Sequence, residues 1–394
     1  MISVDEALAQ VLALLSPTDI ETIEIRDATA RVLAHPVSAK RDQPPFASSA
    51  MDGYAVKSGE LDPYAQLLVI GESAAGHRFD GAIKAGQCVR IFTGAPVPEG
   101  ADRILIQEDC TRSGNVITVN PDIDTAHYIR PAGGDFRAGS TIDAPTPLTP
   151  SNIALIAAMN VNELPVYRKP VIALVATGDE LVHPSETPNQ DQIISSNNFG
   201  LKALIESHGA SARLLPIARD DMDSLTTVLD LCEGADLIVT LGGASVGDHD
   251  LMGKMAADGT LDTEFYKVAM RPGKPLMAGL YKGTPLIGLP GNPVSALVCG
   301  YVFLIPAIRA MLGLPRAALA TQTATLGIDL PANGPRSHYM RAHCEIIDGQ
   351  NICTPFERQD SSLLSVMTAA NAFMIRPPNQ SSLSAGDTVQ IVPL

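Results

Sequence analysis

Positive charge is scarce in this chain of 394 residues: 28 Lys and Arg stand against 43 Asp and Glu, a formal net charge of −15. A field of that sign repels nucleic acid and acidic membrane surfaces and leaves no basic footprint of the kind a DNA binder presents. Any anionic ligand must therefore be met by a local cluster of cations. Cysteine is equally sparse. The six residues, at 88, 110, 232, 299, 344 and 353, include no CxxC pair, which argues against a zinc knuckle or a redox dithiol motif. Their scatter predicts reduced thiols in a cytoplasmic protein. No run approaches ~20 apolar residues, so no membrane span is expected. The N-terminal Met1-Ile2-Ser3-Val4-Asp5-Glu6 has acids where a signal peptide would be basic. The eight histidines form no HExxH pattern, and nothing requires a Ser-His nucleophile.

What is present is a globular composition, 45% hydrophobic, at a length that predicts two to four domains of ~100–200 residues. Ser3 and Glu6 form a capping-box pattern for a helix with Val4, Ala7, Leu8, Val11 and Leu15 on its apolar face, ending at Ser16-Pro17. A strand over Thr22–Ile25 and a helical turn over Ala30–Leu33 are expected next. Then Pro44-Pro45 force extended backbone, Ala47-Ser48-Ser49-Ala50 keep it uncluttered, and Asp52-Gly53 turns into a strand. A linker needs only the Asp-Gly turn; the small residues before it suit a loop that faces a ligand with Asp52 as its acid. Short strands between glycine turns run from Leu67 to Val119, predicting an inserted all-β module that includes Thr93 and closes on the glycine-rich loop around Asp135. Pro145, Pro147 and Pro150 mark a boundary, and a helix is expected from Ser151.

After Lys169-Pro170 strands and helices alternate, the pattern of a doubly wound α/β domain. Strands are expected at Val171–Ala176, Arg213–Ile217, Leu237–Leu241, Phe265–Met270 and Pro285–Leu289. Helices follow Ser195-Ser196-Asn197 and Asp221, and a long apolar one runs from Ser295 to Leu312. Around Leu237–Leu241, a run too short for a helix and stopped by Gly242-Gly243, the domain is organised. The loop beyond it carries Ser245, Gly247, Asp248, His249 and Asp250. In isolation this could be a strand-to-helix turn capped by Asp248 or Asp250. Successive strand ends, however, deliver Asp179 and Glu180, Asp220 and Asp221, then Asp248 and Asp250, then Arg271 and Lys274 with the helix start near Ser295. Carboxyl ends of parallel strands share one edge, so these groups should converge. Acids that hold a divalent cation, beside cations and a helix N-terminus that hold anions, describe a phosphate and oxyanion site. Residues 321–394 read as strands with turns at Asp348-Gly349 and Ala385-Gly386, a β-barrel.

SSAMDGYA, TGAPVP, GDELV, GGASVGDHD, RPGKP and LPGNPVSAL, in that order over nearly the whole chain, make the sequence resemble the molybdopterin molybdenumtransferase family, related to the gephyrin E domain. The resemblance implies a multi-domain α/β plus β fold. Its parts would be a connecting domain from 1–46 and 138–169, an inserted β-rich lobe at 47–137, a doubly wound molybdopterin-binding α/β domain at 170–318, and a C-terminal β-barrel at 319–394. It implies insertion of molybdenum from molybdate into adenylylated molybdopterin with release of AMP. Alternatives on the same fold are a molybdopterin adenylyltransferase or a scaffold protein. The partners implied are a second copy in a homodimer and, transiently, the adenylyltransferase.

Carried onto this sequence, Glu180 and Asp250 match magnesium-binding acids, and Asp220 or Asp221 the acid of the following turn. Asp52, Thr93 and Asp135 match positions facing the same cleft, across the dimer. Lys267, Arg271, Pro272, Lys274, Pro275, Ser295, Arg341 and Ser361 match the lining of the molybdate and phosphate pocket, and Gly242, Gly243, Ser245 and Gly247 the substrate loop. Many members of the family carry lysine where this chain has Arg271, which keeps the charge but exchanges a point contact for a planar fork. Arg271→Ala should raise the molybdate concentration for half-maximal AMP release by roughly tenfold or more, the ~1.4 kcal/mol of one charge-assisted contact. Arg271→Lys should change it far less. A molybdate titration of AMP release checks both, and an unchanged midpoint for the alanine variant would remove Arg271 from the oxyanion pocket.

Overall fold

A computed structural model gives the fold and describes residues 1–243 and 251–394. The N-terminal helix Val4–Ala13 forms for the expected reason. Ser3 Oγ accepts from the Glu6 N–H at 3.1 Å while the Glu6 carboxylate accepts from the Ser3 N–H at 2.8 Å, and Val4, Ala7, Leu8 and Val11 are buried. The chain then builds a four-stranded sheet from Ile20–Glu24, Val32–Leu33, Thr146–Pro147 and Glu163–Tyr167. Here the helical turn expected over Ala30–Leu33 is absent. Ala30 sits at φ 58, where a helix cannot continue, and Val32–Leu33 pairs instead with Thr146–Pro147 and Val166. The helix Pro150–Ala158 begins one residue before the expected Ser151, because Thr149 rather than Pro150 is its cap and Asn152 completes the box.

Between the halves of that sheet the chain leaves and returns along paired short strands, Val37–Ser38 with Thr141–Ile142 and Ser48–Ser49 with Ile129–Arg130. Beyond them lies a six-stranded sheet in the order Arg103–Ile106, Gly53–Val56, Gln87–Ile91, Gln66–Ser73, Val116–Val119, Cys110–Ser113. Its two faces bury separate apolar clusters, one around Tyr54, Leu105 and Ile117, the other around Val89, Ile91 and Ile104.

The α/β unit has a six-stranded sheet in the order Ser211–Leu214, Val171–Ala176, Leu237–Leu241, Thr284–Leu289, Met277–Tyr281, Leu261–Tyr266. The first four strands are parallel, and Leu237–Leu241 is wholly buried between its neighbours. Two expectations change. Ser211–Leu214 lies earlier than Arg213–Ile217, its register set by Val171 opposite Ser211. The strand expected at Phe265–Met270 splits into Leu261–Tyr266 and Met270–Arg271, because Lys267 takes φ 77 and turns the chain out of the sheet. Met277–Tyr281 was hidden in the sequence. It is antiparallel to both neighbours, so Leu261–Tyr266 still points its carboxyl end to the same edge as the parallel strands.

The long apolar helix starts at Pro293, two residues before Ser295, and runs through a π-turn at Gly300–Leu304 to Met311. By length and composition, with mean hydropathy 1.8, it could cross a membrane, yet 83% of its apolar window is buried inside the protein, which makes it a core helix. Five strands, Ser337–Ile347, Gln350–Pro355, Gln322–Leu326, Thr388–Pro393 and Ala372–Arg376, close on themselves as a C-terminal barrel. Phe303, fully buried on the core helix, packs in the cluster shared by helix, sheet and barrel. Phe303→Ala should destabilise by about 3–5 kcal/mol, and urea unfolding followed by circular dichroism would show it as a lowered midpoint at unchanged slope.

Candidate functional site

The carboxyl ends of the α/β strands open onto a cleft of about 430 Å³. Glu180, Asp220, Gly242, Gly243 and Pro275 line it, together with Thr177, Ser195, Ser196, Asn197 and Asn292. The floor is a crossing of two loops. Gly242 sits at φ +92 and Gly243 at φ +66, and a Cβ on Gly242 would meet the Thr177 carbonyl oxygen at 2.9 Å. Only glycine lets this backbone pass so close to the strand-end Thr177 in that conformation. Asn197 Nδ2 donates to the Gly291 carbonyl at 2.6 Å, fixing the Pro290–Pro293 turn as the far wall.

Of the two acids left open at the Arg219 turn, Asp221 is committed to structure, since its carboxylate accepts the Ser224 N–H at 2.7 Å and caps the helix Met222–Asp230. Asp220 instead lines the cleft, and its N–H donates to the Asp179 carboxylate at 3.4 Å. Ser245, Gly247, Asp248, His249 and Asp250 lie outside the described residues. Among the described residues no three His, Cys, Asp or Glu side chains cluster as metal ligands.

Beside the cleft lies a seam of positive charge. Met270–Arg271 pairs in parallel with Ser337–His338, so the Arg271-Pro272-Gly273-Lys274-Pro275 turn belongs to the barrel on one side and leads back to the sheet on the other. Gly273, at φ +111, packs where a Cβ would meet Cys299 Sγ at 2.5 Å, while Arg271 and Lys274 remain exposed. Lys267 places its ammonium 5.1 Å from the Tyr266 ring centroid. Arg341 is fully buried. Its Nη2 donates to the Asp360 carbonyl at 3.0 Å, but Nε and Nη1 are buried with no partner among the described residues. Burial lowers its pKa, the nearby Asp360 opposing and Arg271 adding to that shift.

The barrel loop holding Ser361 is tied to the core helix start. Ser361 Oγ accepts from Asn292 Nδ2 at 3.1 Å and its carbonyl accepts the Val294 N–H at 3.1 Å. Gln359 locks the same loop by donating to the Arg341 carbonyl at 2.9 Å and accepting the Arg341 N–H at 3.0 Å. Ser295 is buried behind this start, away from the cleft lining.

The lobe residues form their own pair. Asp52 Oδ1 accepts from the Thr93 N–H at 2.7 Å and from Thr93 Oγ1 at 2.8 Å, which holds its carboxyl below the usual range. Asp135 is exposed on its loop, anchored through its N–H to the Gln43 carbonyl at 2.9 Å. None of the three lines the cleft of this chain.

The sequence of the chain divides among three family models: MoeA N-terminal region (domain I and II) over residues 2–160, probable molybdopterin binding domain over 173–310, and MoeA C-terminal region (domain IV) over 323–394. A molybdopterin molybdenumtransferase of Nostoc sp. is 31% identical over 96% of this chain and 90% of its own length. One from Haemophilus influenzae is 31% identical over 100% and 98%. The chain belongs to the molybdopterin molybdenumtransferase family. The crystal structure of a molybdopterin biosynthesis MoeA protein from Pyrococcus horikoshii superposes with a TM-score of 0.82 at 26% identity, covering 100% of this chain and 99% of that one.

Within that family fold, the sequence reading passed over Asn292 as a lock and His338 altogether. His338 is buried with Nε2 unpartnered among the described residues, and burial followed by the charges of Arg271, Arg341, Arg376 and Arg336 lowers its pKa to about 4. A single histidine on a strand gives no pattern to detect. Arg341, which only the family resemblance singled out, proves to be the largest fully buried side chain among the described residues.

An uncompensated buried guanidinium costs stability that a bound anion recovers. Arg341→Met should therefore melt no lower than the wild type in anion-free buffer, while losing most of the wild type's stabilisation by added molybdate or sulfate. Differential scanning fluorimetry with and without each anion reads both effects, and an undiminished anion response would show that Arg341 does not bind it.

Proposed function

We propose that this chain inserts molybdenum from molybdate into adenylylated molybdopterin, releasing AMP and giving molybdenum cofactor. The observation that carries this reading is Arg341, a buried cation whose Nε and Nη1 have no hydrogen-bond partner among the described residues and whose Nη2 is held by Asp360, next to the Ser361 that bonds Asn292 of the acid-lined cleft, in a chain whose net charge is −15. Buried donors of that kind are built for an oxyanion. Arg271 and Lys274 on the adjoining turn would add positive potential, and the Asn292–Ser361 lock would hold the barrel loop against the helix start. The doubly glycine-lined floor would admit the extended phosphate-bearing ligand along the strand ends. A bare adenylyltransferase would need only the α/β unit. The matches to both flanking regions of the family favour metal insertion.

Glu180 and Asp220 supply hard carboxylate oxygens to one cleft, a donor set that suits Mg²⁺, which is held by one or two carboxylates together with substrate phosphates. Glu180 and Asp250 would be its ligands, with Asp220 close by. When bound it would neutralise charge on the phosphoanhydride. The chain's own residues bind and orient the anions: Arg341 and Arg271 the oxyanion, the glycine floor the backbone of the ligand.

We place the active form as a homodimer in the cytoplasm, with Asp52, Thr93 and Asp135 reaching the cleft of the opposite subunit. It would receive its substrate from the adenylyltransferase in a transient contact. The Asp52–Thr93 hydrogen bonds supply a preset acid and hydroxyl on a rigid lobe, and the cleft of the same chain does not use them.

AMP release from adenylylated molybdopterin should depend on both molybdate and Mg²⁺, and Asp250→Asn should abolish the magnesium-dependent rate while leaving fold and dimer intact. An inactive Asp52→Ala chain exchanged with an inactive Asp250→Ala chain should regain up to about a quarter of wild-type activity, the share expected when half the dimers are mixed and each restores one of two sites. No rescue after verified exchange would place the two residues in one subunit's site.

A further inference from the structure

Two cysteines that the sequence keeps nine positions apart stand face to face in the barrel. Cys344 on Ser337–Ile347 and Cys353 on Gln350–Pro355 are directly opposed in an antiparallel ladder. Residues opposite one another project to the same face of the sheet, here the barrel interior, where Cys353 is fully buried and Cys344 packs half-buried beside it. Which kind of pair they form follows from the backbone. The Cys344 N–H donates to Asn371 Oδ1 at 2.7 Å, and its carbonyl accepts from Asn371 Nδ2 at 2.8 Å. Asn371 leads into Ala372–Arg376, the strand on the other side of Ser337–Ile347 from Cys353. Both polar groups of Cys344 therefore point away from Cys353, which makes this a non-hydrogen-bonded pair, the closer of the two antiparallel types at a Cα separation of ~4.5 Å. That spacing falls within the ~4.4–6.8 Å range a disulfide spans, so the bridge needs no movement of the strands.

We propose that Cys344 and Cys353 are an oxidative modification site, closing to a cross-strand disulfide when a small disulfide such as oxidised glutathione reaches the barrel end. Cys344 is the more accessible sulfur, and the hydrogen bond from Cys353 offsets part of the upward shift that burial imposes on its thiol. Cys344 loses its proton to water, and its thiolate attacks one sulfur of the glutathione disulfide, breaking that S–S bond and releasing one glutathione thiolate. Cys353 then loses its proton and attacks the Cys344 sulfur of the mixed disulfide, releasing the second. Two protein thiols are oxidised and one glutathione disulfide is reduced to two glutathiones. Because burial keeps both thiols mostly protonated, the reaction should be slow at neutral pH and accelerate as pH rises.

The test treats the full-length protein with oxidised glutathione, quenches by alkylation and maps peptides by mass spectrometry. The expected product has lost the mass of two hydrogens, contains a Cys344–Cys353 crosslinked peptide, and melts at a higher temperature that returns to the starting value with dithiothreitol. Cys353→Ala should instead accumulate a stable glutathione adduct on Cys344, a readout that does not require the bridge. The proposal is overturned if the wild type stops at the mixed disulfide, crosslinks through other cysteines, or leaves Cys344 fully alkylatable after prolonged treatment at raised pH.

Discussion

The stretch from Tyr266 to Met277 belongs to two sheets at once, and the geometry of the site depends on that sharing. It leaves the α/β sheet at Lys267, bridges back to the N-terminus through Val268 beside Ile2, joins the barrel through Met270–Arg271, and re-enters the α/β sheet at Met277. A chain hydrogen-bonded on both sides cannot let the barrel drift from the cleft without breaking one ladder. The cations of the intervening turn are thereby held at a set distance from the acids at the strand ends. The Ser361–Asn292 lock repeats the constraint from the opposite side of the seam.

Charge explains why so much backbone is spent there. A protein of net charge −15 cannot attract a dianion through its overall field and must do so at short range, where low dielectric strengthens each contact. Arg341 is the extreme case: its guanidinium is removed from water, bonded once to a carbonyl, and left with no carboxylate partner among the described residues. A guanidinium held this way costs stability unless an anion pairs with it.

The elements around this seam were unequally legible. Val171–Ala176 and Leu237–Leu241 stood out because buried parallel strands are continuous apolar runs stopped by Thr-Gly and Gly-Gly. Glu180 and Asp220, the expected acids that line the cleft, could be placed on one edge by topology alone. Met277–Tyr281 was lost because it follows a proline-rich turn and carries glycine within it. The Ala30–Leu33 segment misled because a left-handed alanine leaves no mark in a sequence. Arg341 was named through the family resemblance alone: an arginine between methionine and alanine on a strand gives no sign by itself whether it points to water or to another domain. Pairings such as Cys344 with Cys353 depend on strand register, and no spacing rule reveals that. Asp221 as the cap of the following helix was legible in the sequence, and the structure adds that Asp220 is the one of the two that lines the cleft.

The β-rich lobe leaves and returns through Val37–Ser38 beside Thr141–Ile142, a bridge of Gln43 to Phe136, and Ser48–Ser49 beside Ile129–Arg130. Outgoing and incoming chains are thus zipped together before the lobe begins. The two ends of its sheet are already neighbours, so the lobe is a cassette: its contents can be lengthened, shortened or exchanged between relatives while the domain at its root keeps its own closure and its own core.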